Sequence, residues 1–323
     1  MAKPDIQTGA HSTLIYYWED AGFKEDVNDS VPKAFGKESR LTTFDGSRNA
    51  VELFDPGDRE VAQFIEQEFS GTFTVDFVFT NPWWLRAVVD TPTTSGSDAP
   101  YEHDFAGQAP SSLQLVTGNT KSGRDYLLRG GVVQSADISI NVPGNIEVSL
   151  SGAYASLEPT VPSTQESQVD LGHDVFTFAD GRMDIAGTTQ RLLQSIDLSI
   201  ENNTDMVLEI GDQEPVDFSP KGRQLTVDGV QTRTSEEDKA IDRFLGGTGG
   251  LERRAERNEI VISLDNDGSG ADKQSVEFTL ADAMDNDVSP SNIGDPDSDV
   301  ENSFTQRPTK LGVIAENATD TAP

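Results

Sequence analysis

The sequence contains no cysteine. That excludes disulfide staples, zinc–thiolate centres and thiol nucleophiles, and it leaves the redox compartment unreadable. Lysine is scarce: nine residues among 24 basic ones, against 56 acidic, for a formal net charge of −32. The usual route to nucleic acid needs Lys and Arg clustered against phosphate, and this balance argues against it. Histidine is nearly missing too. His11, His103 and His173 stand apart in polar segments with no partner at ligand spacing, and read as solvent-exposed loop residues. There is no phosphate loop, dinucleotide-binding glycine fingerprint, nucleophile elbow or HExxH motif, so no cofactor is expected. No stretch approaches the ~20 apolar residues of a membrane span, and the opening MAKPDIQTGAHSTLIYYW has no apolar run leading to a small-residue cleavage site. A soluble, untargeted chain without membrane contact is expected.

What is present points to a folded β protein. Over 323 residues, 35% apolar content with 16 Phe can fill a real core. Strand patterns, aromatics and Gly turns recur throughout and argue against an acidic disordered chain. An acid surplus spread evenly, with few Lys, is expected of a protein working in concentrated salt, where the Debye length falls to about 3 Å and self-repulsion costs little.

The clearest stretch is residues 130–154, GGVVQSADISINVPGNIEVSLSGAY. Val132, Gln134, Ala136, Ile138 and Ile140 alternate with Val133, Ser135, Asp137 and Ser139. After Pro143-Gly144, Ile146, Val148 and Leu150 alternate with Glu147, Ser149 and Ser151. A period of two predicts a hairpin with one dry face and one wet, acidic face carrying Asp137 and Glu147. Further strands are expected around residues 71–80, 113–116, 192–200, 224–234, 259–264, 275–281 and 311–316. Asp45-Gly46 reads as a hairpin turn, and residues 175–178 and 182–185 as strands about Ala179-Asp180-Gly181. Val61, Phe64, Ile65 and Phe69 recur at helical spacing behind Asp58, predicting a helix there; another should follow Ser235. Residues 82–89 read as a helical turn, and 91–110 and 285–303 as long polar loops.

Two phrases repeat. FTVDFVFT (residues 73–80) matches LTVDGVQT (225–232) at five of eight positions, and QSADISINV (134–142) resembles QSIDLSIEN (194–202). The first spacing suggests tandem duplication; the second, offset by 60, competes with it. The domain reading is an N-terminal arm and first strand at 1–40, a first β domain at 41–158, a linker at 159–173 and a second β domain at 174–323.

The one metal-like phrase is Asp265-Asn266-Asp267-Gly268-Ser269-Gly270. It opens like a calcium loop, but the twelfth position is Val276 where a bidentate Glu is needed, so Asp265 and Asp267 are weak candidates beside a plain Gly-rich turn. Trp83-Trp84 reads as core packing more than as a binding platform.

The order of YYWEDAGF, FTVDFVFTNPWW, GGVVQSADISINVPGNIEVSLSG, QSIDLSIENNTDMVLEIG and LTVDGVQT resembles the tail tube proteins (major tail proteins) of long non-contractile-tailed viruses. With the salt-adapted composition, it suggests a virus of haloarchaea. The resemblance implies an antiparallel β-sandwich with flanking short helices, duplicated in tandem, whose inner strands close into a ring barrel. Such rings stack into a DNA-conducting tube. It further implies a virion protein made in the host cytoplasm and partnered by itself, with a trimer of duplicated folds favoured over a hexamer. Tail terminator, tape measure and baseplate-type proteins would be its other partners. Viral DNA would pass without specific binding, with Asp137 and Glu147 lining the lumen. The alternative is a halophilic β-sandwich adhesin or receptor-binding module; an enzyme ranks third.

Overall fold

The computed structural model describes residues 12–25, 32–56, 59–119, 124–160, 174–232, 239–245, 257–292 and 299–320. The first half of the chain forms β1 (Ser12–Trp18), β2 (Lys37–Phe54), β3 (Val61–Val78), a 3-10 turn at Trp83–Ala87, β4 (Thr93–Ser95), β5 (Tyr101–Asp104), β6 (Leu113–Asn119), β7 (Arg124–Asn141), β8 (Ile146–Tyr154) and β9 (Ser156–Thr160). The second forms β10 (Gly181–Ile185), β11 (Thr188–Thr189), β12 (Leu193–Glu201), β13 (Asp205–Val207), β14 (Asp217–Ser219), β15 (Gln224–Thr232), α1 (Lys239–Leu245), β16 (Arg257–Asp265), β17 (Ser275–Ser291), β18 (Glu301–Arg307) and β19 (Lys310–Asn317).

Alternation decides most of these elements. In β8, Ile146, Val148 and Leu150 are buried and Glu147 is exposed; in β12, Ile196, Leu198 and Ile200 are buried and Asp197 is exposed. The architecture is the expected mainly β, antiparallel sandwich, and among the described residues the sheet does not close into a barrel.

One pattern of pairings occurs twice. In the first half β1 pairs with β6, β6 with β7, β7 with β8 and β9, and β3 with β2 and β8. In the second half β10 pairs with β16, β16 with β17, β17 with β18 and β19, and β15 with β12 and β18. Both β7 and β17 change sheets partway along. Each does so at a residue with positive φ, Gly130 (62°) in β7 and Asp282 (54°) in β17. A Cβ at residue 130 would stand 2.6 Å from the Phe23 ring, so glycine is required there for space as well as conformation. A pairing between β7 and β12 joins the halves, so a central sheet runs β2-β3-β8-β7-β12-β15-β18-β17. The phrases 73–80 and 225–232 fall on β3 and β15, which hold the same place in the two patterns. Those at 134–142 and 194–202 fall on β7 and β12, which are neighbours across the join.

The apolar face of the central sheet packs on the smaller sheets as one cluster that reaches through both halves, from Tyr16, Phe73 and Trp84 to Ile260 and Phe278. The join is also pinned by polar contacts. Arg223 donates from Nε to Asn202 Oδ1 (3.0 Å) and from its terminal nitrogen to the Val88 and Val89 carbonyls (3.2 Å each). Asn202 adds a bond to Val88 O at 2.9 Å. These supply donors to carbonyls just past the 3-10 turn, which its own hydrogen bonding leaves open.

Several expectations fail, each for a tertiary reason. Residues 61–69 are strand, not helix: β2 offers a paired register from Phe54↔Val61 to Lys37↔Val78, and the Phe and Ile side chains suit a strand equally well. Asp58 lies outside the described residues. Asp45-Gly46 is no turn; Gly46 sits opposite Gly71 in mid-ladder, and the Tyr154 ring lies across the pair, 2.4 Å from where a Gly71 Cβ would stand. Residues 175–178 form no strand; a capped 3-10 turn at Phe178–Asp180 leads into β10. The polar stretch 91–110 contains β4 and β5, and β5 pairs with β19. The stretch 285–303 contains the end of β17 paired with the start of β18. Ser235 and most of the 159–173 linker fall outside the described residues.

His103 is also corrected, from exposed loop to core, whereas His11 and His173 lie outside the described residues. In β5 it is fully buried, with Nε2 3.1 Å from Asn317 Oδ1 and Nδ1 2.9 Å from Thr94 Oγ1. Asn317 Oδ1 already accepts the Thr319 amide, which assigns the proton to Nε2 and makes Nδ1 the acceptor of the Thr94 hydroxyl. Burial pushes its pKa below the ordinary 6.5. Between the two values the unfolded chain holds a proton that the folded chain does not, so stability is lost as pH falls below about 6.5. His103→Gln is expected to flatten this part of the pH dependence. Thermal melts of both proteins between about pH 7 and pH 5 check it, and parallel curves count against it.

Candidate functional site

The wet face of the central sheet carries the only extended arrangement of functional side chains among the described residues. Register places them in rows across the strands. One row reads Arg40, Asp76, Ser149, Asp137, Ser199, Thr226 across β2, β3, β8, β7, β12 and β15. The next reads Glu147, Ser139, Asp197, Asp228, Thr305, Asp287 across β8, β7, β12, β15, β18 and β17. Asp137 and Glu147 are therefore exposed members of a larger field, and the structure brings them to one concavity of about 290 Å³ with Glu38, Arg40 and Asp76.

Hydroxyls on neighbouring strands serve the carboxylates. Ser149 Oγ donates to Asp76 Oδ1 at 2.7 Å, Ser139 Oγ to Asp197 Oδ1 at 2.5 Å, and Thr305 Oγ1 to Asp228 Oδ1. Asp197 and Asp228 are direct cross-strand partners, a pairing of like charges that disfavours the sheet unless hydrogen bonds or salt offset it. The face is built of hydroxyls and carboxylates that bond to one another across strands. It offers a hydrated surface that repels anions.

Sequence reasoning found Asp137 and Glu147 and missed Asp76, Asp197, Asp228, Asp287 and Arg40. The signal was present in the recurring T-V-D, D-I-S, E-V-S, D-L-S and D-V-S alternations, but register across non-adjacent strands was needed to assemble it.

The other candidates lie elsewhere. Asp265 ends β16 and Asp267 lies in the connection to β17; Asp265 Oδ1 accepts the Asp267 amide (2.9 Å) and Asn266 Oδ1 accepts the amides of Gly268 and Gln274. Among the described residues no group of three or more His, Cys, Asp or Glu is placed to hold a metal ion. No helix of the described residues is long and apolar enough to cross a membrane. Trp83 and Trp84 are 7% and 0% exposed, so they form packing and no platform for a ligand.

A second feature leaves the sheet altogether. Beyond the Gly46–Gly71 pair, β2 and β3 continue as a two-stranded ribbon, residues 47–54 against 61–70, that no third described strand joins. It exposes Val51, Leu53, Phe54, Phe64 and Ile65; Phe54 is 54% and Phe64 62% exposed. Apolar side chains gathered on a thin, projecting element mark a contact surface.

No curated protein matches the chain. A family model described as phage tail tube protein matches residues 30–307, from ahead of β2 to the end of β18, through both runs of strand pairings. The chain belongs to the phage tail tube protein family, and is thus a structural component of the virion tail.

Proposed function

We propose that the two runs of pairings are tandem tail-tube units, and that three copies of the chain close into a ring of six units whose wet faces line a bore. Rings stack into a tube that conducts viral DNA into the host cell. The observation that carries this reading is the acidic, hydroxyl-laced face continued in register across both units. Aspartates and glutamates along the wall repel phosphate, so DNA slides without sticking. An antiparallel sheet with open edges is a liability that a closed ring removes.

In this reading Asp137 and Glu147 face the lumen, and the β2–β3 ribbon reaches the next ring, where a partner would cover its apolar side chains. Tail terminator, tape measure and baseplate-type proteins would meet the tube at its ends and inside it. Synthesis takes place in the host cytoplasm. The net charge of −32 fits assembly in concentrated salt and a haloarchaeal host.

Electron microscopy of the purified, concentrated protein in molar salt is expected to show rings and stacked tubes, with Asp137 and Glu147 on the bore wall. Protein that stays strictly monomeric sinks the proposal. A density map placing those two residues on the outer rim sinks the lumen assignment alone.

A further inference from the structure

The central sheet ends on two strands whose outer edges no described strand covers: β2 near Arg40 and β17 over residues 287–291. Halfway along the same sheet, the two units are already joined through β7 and β12. The strands at the join and at the ends correspond. Asp197 of β12 lies opposite Asp228 as Arg40 of β2 lies opposite Asp76. Asp287 of β17 lies opposite Thr305 as Asp137 of β7 lies opposite Ser149. At these residues the end strands stand in the same register to their neighbours as the two strands that meet inside, with β2 bulged on either side of Arg40–Leu41 and β17 just before Asp287.

We infer that the outer edge of β17 pairs antiparallel with β2 of a second copy of this chain, in the register of the internal β7–β12 join. The pairing of Ser139 with Asp197 then becomes Ser289 with Arg40, and that of Ile138 with Leu198 becomes Val288 with Leu41. This rests on the ring reading above and adds to it which edges meet and which residues face each other.

Two observations support it. Ile138 and Leu198, inside the join, are 3% and 2% exposed, whereas Val288 and Leu41, packed against the same core cluster, are only half-buried. A strand laid along each edge covers them. Charge agrees as well: Arg40 stands where the internal join has Asp197, and the register makes exposed Asp287 its diagonal neighbour, so the outer junction gains an attraction. The Val142 amide donates to Gln194 O, so alternate amides of β7, including that of Ile140, point at β12. Pro290 takes the place of Ile140, so its missing N–H leaves the β17–β18 ladder whole and gives the outer junction one ladder hydrogen bond fewer than the internal join.

The absence of cysteine makes the test clean. Residues 40 and 289 are exposed, and in this register they form a non-hydrogen-bonded pair, with Cα atoms about 4.5 Å apart, within reach of a disulfide. The variant with Arg40→Cys and Ser289→Cys is assembled in molar salt, oxidised with diamide and run on a denaturing, non-reducing gel. Ser139→Cys with Asp197→Cys serves as the internal control and closes a bridge within one chain. The expected result is efficient linking between chains at 40 and 289, up to closed trimers, and at least tenfold less for Arg40→Cys with Ser291→Cys. Rings seen by microscopy that link no better at 40–289 than at 40–291 overturn the junction and leave the ring reading standing. Failure of the unsubstituted protein to assemble in molar salt, with the internal control closing normally, overturns the ring reading and the junction with it.

Discussion

Replacing both Phe54 and Phe64 with aspartate is expected to leave single rings intact and to abolish stacked tubes. Glu52 lies opposite Phe64, and Phe54 follows two residues after Glu52, so the two rings share one face of the ribbon. Burying a Phe side chain is worth about 1.5–3 kcal/mol, so each copy loses roughly 3–6 kcal/mol of stacking free energy before the cost of burying charge is added. Three copies acting together multiply that loss beyond what an elongating tube tolerates. The core does not feel the change, because Phe54 and Phe64 are exposed, whereas the ribbon meets the rest of the fold at its base, where the Phe69 amide donates to Gln213 O and its ring packs on Tyr154. Sedimentation in molar salt reads the outcome directly, with rings retained and the tube fraction gone. Tubes of ordinary length from the double variant would remove the ribbon from the stacking contact.

Trp84→Ala is expected to destabilise the fold by about 3–5 kcal/mol, a fall in melting temperature of roughly 10 °C. Trp84 is fully buried in the 3-10 turn after β3, with its ring edge-on to Phe77 (5.6 Å) and Phe79 (5.4 Å). Phe79 in turn meets Phe176, which precedes the strands of the second half. The cavity left by alanine therefore opens in the core shared by both halves of the chain. Trp84→Phe should cost far less, since the buried indole N–H has no hydrogen-bond partner among the described residues and its removal strands none of them. Calorimetry of the two variants separates these outcomes; equal losses would mean that the indole is held by something other than packing.

Much of the fold was legible because alternation is local. The hairpin of β7 and β8, the dry faces of β12 and β15, and the helical turn at residues 83–87 are all written in their own segments. The acidic field was half legible. Asp137 and Glu147 stood out because their hairpin is contiguous, whereas Asp76, Asp197, Asp228 and Asp287 belong to strands that meet only after the chain has crossed over several times. The ribbon was misread because Val61, Phe64, Ile65 and Phe69 satisfy a helical period by accident of spacing. Only the long partner strand β2 decides between helix and strand there. His103 was misread as exposed because its polar neighbours in sequence, Glu102 and Asp104, are not its neighbours in space; Trp83, Thr94 and Asn317 are.

By itself, the sequence determined that this chain is an antiparallel β protein with a wet acidic face, no thiol chemistry and a surface hostile to phosphate. Composition and side-chain alternation act within a few residues and survive any arrangement of the strands. Only the tertiary structure decided that β7 lies beside β12, that one acidic field spans both halves of the chain, and that β2 and β17 are left as its edges. Those are consequences of long-range register, in which hydrogen bonds and buried side chains from distant segments must be satisfied together, and no local stretch contains them.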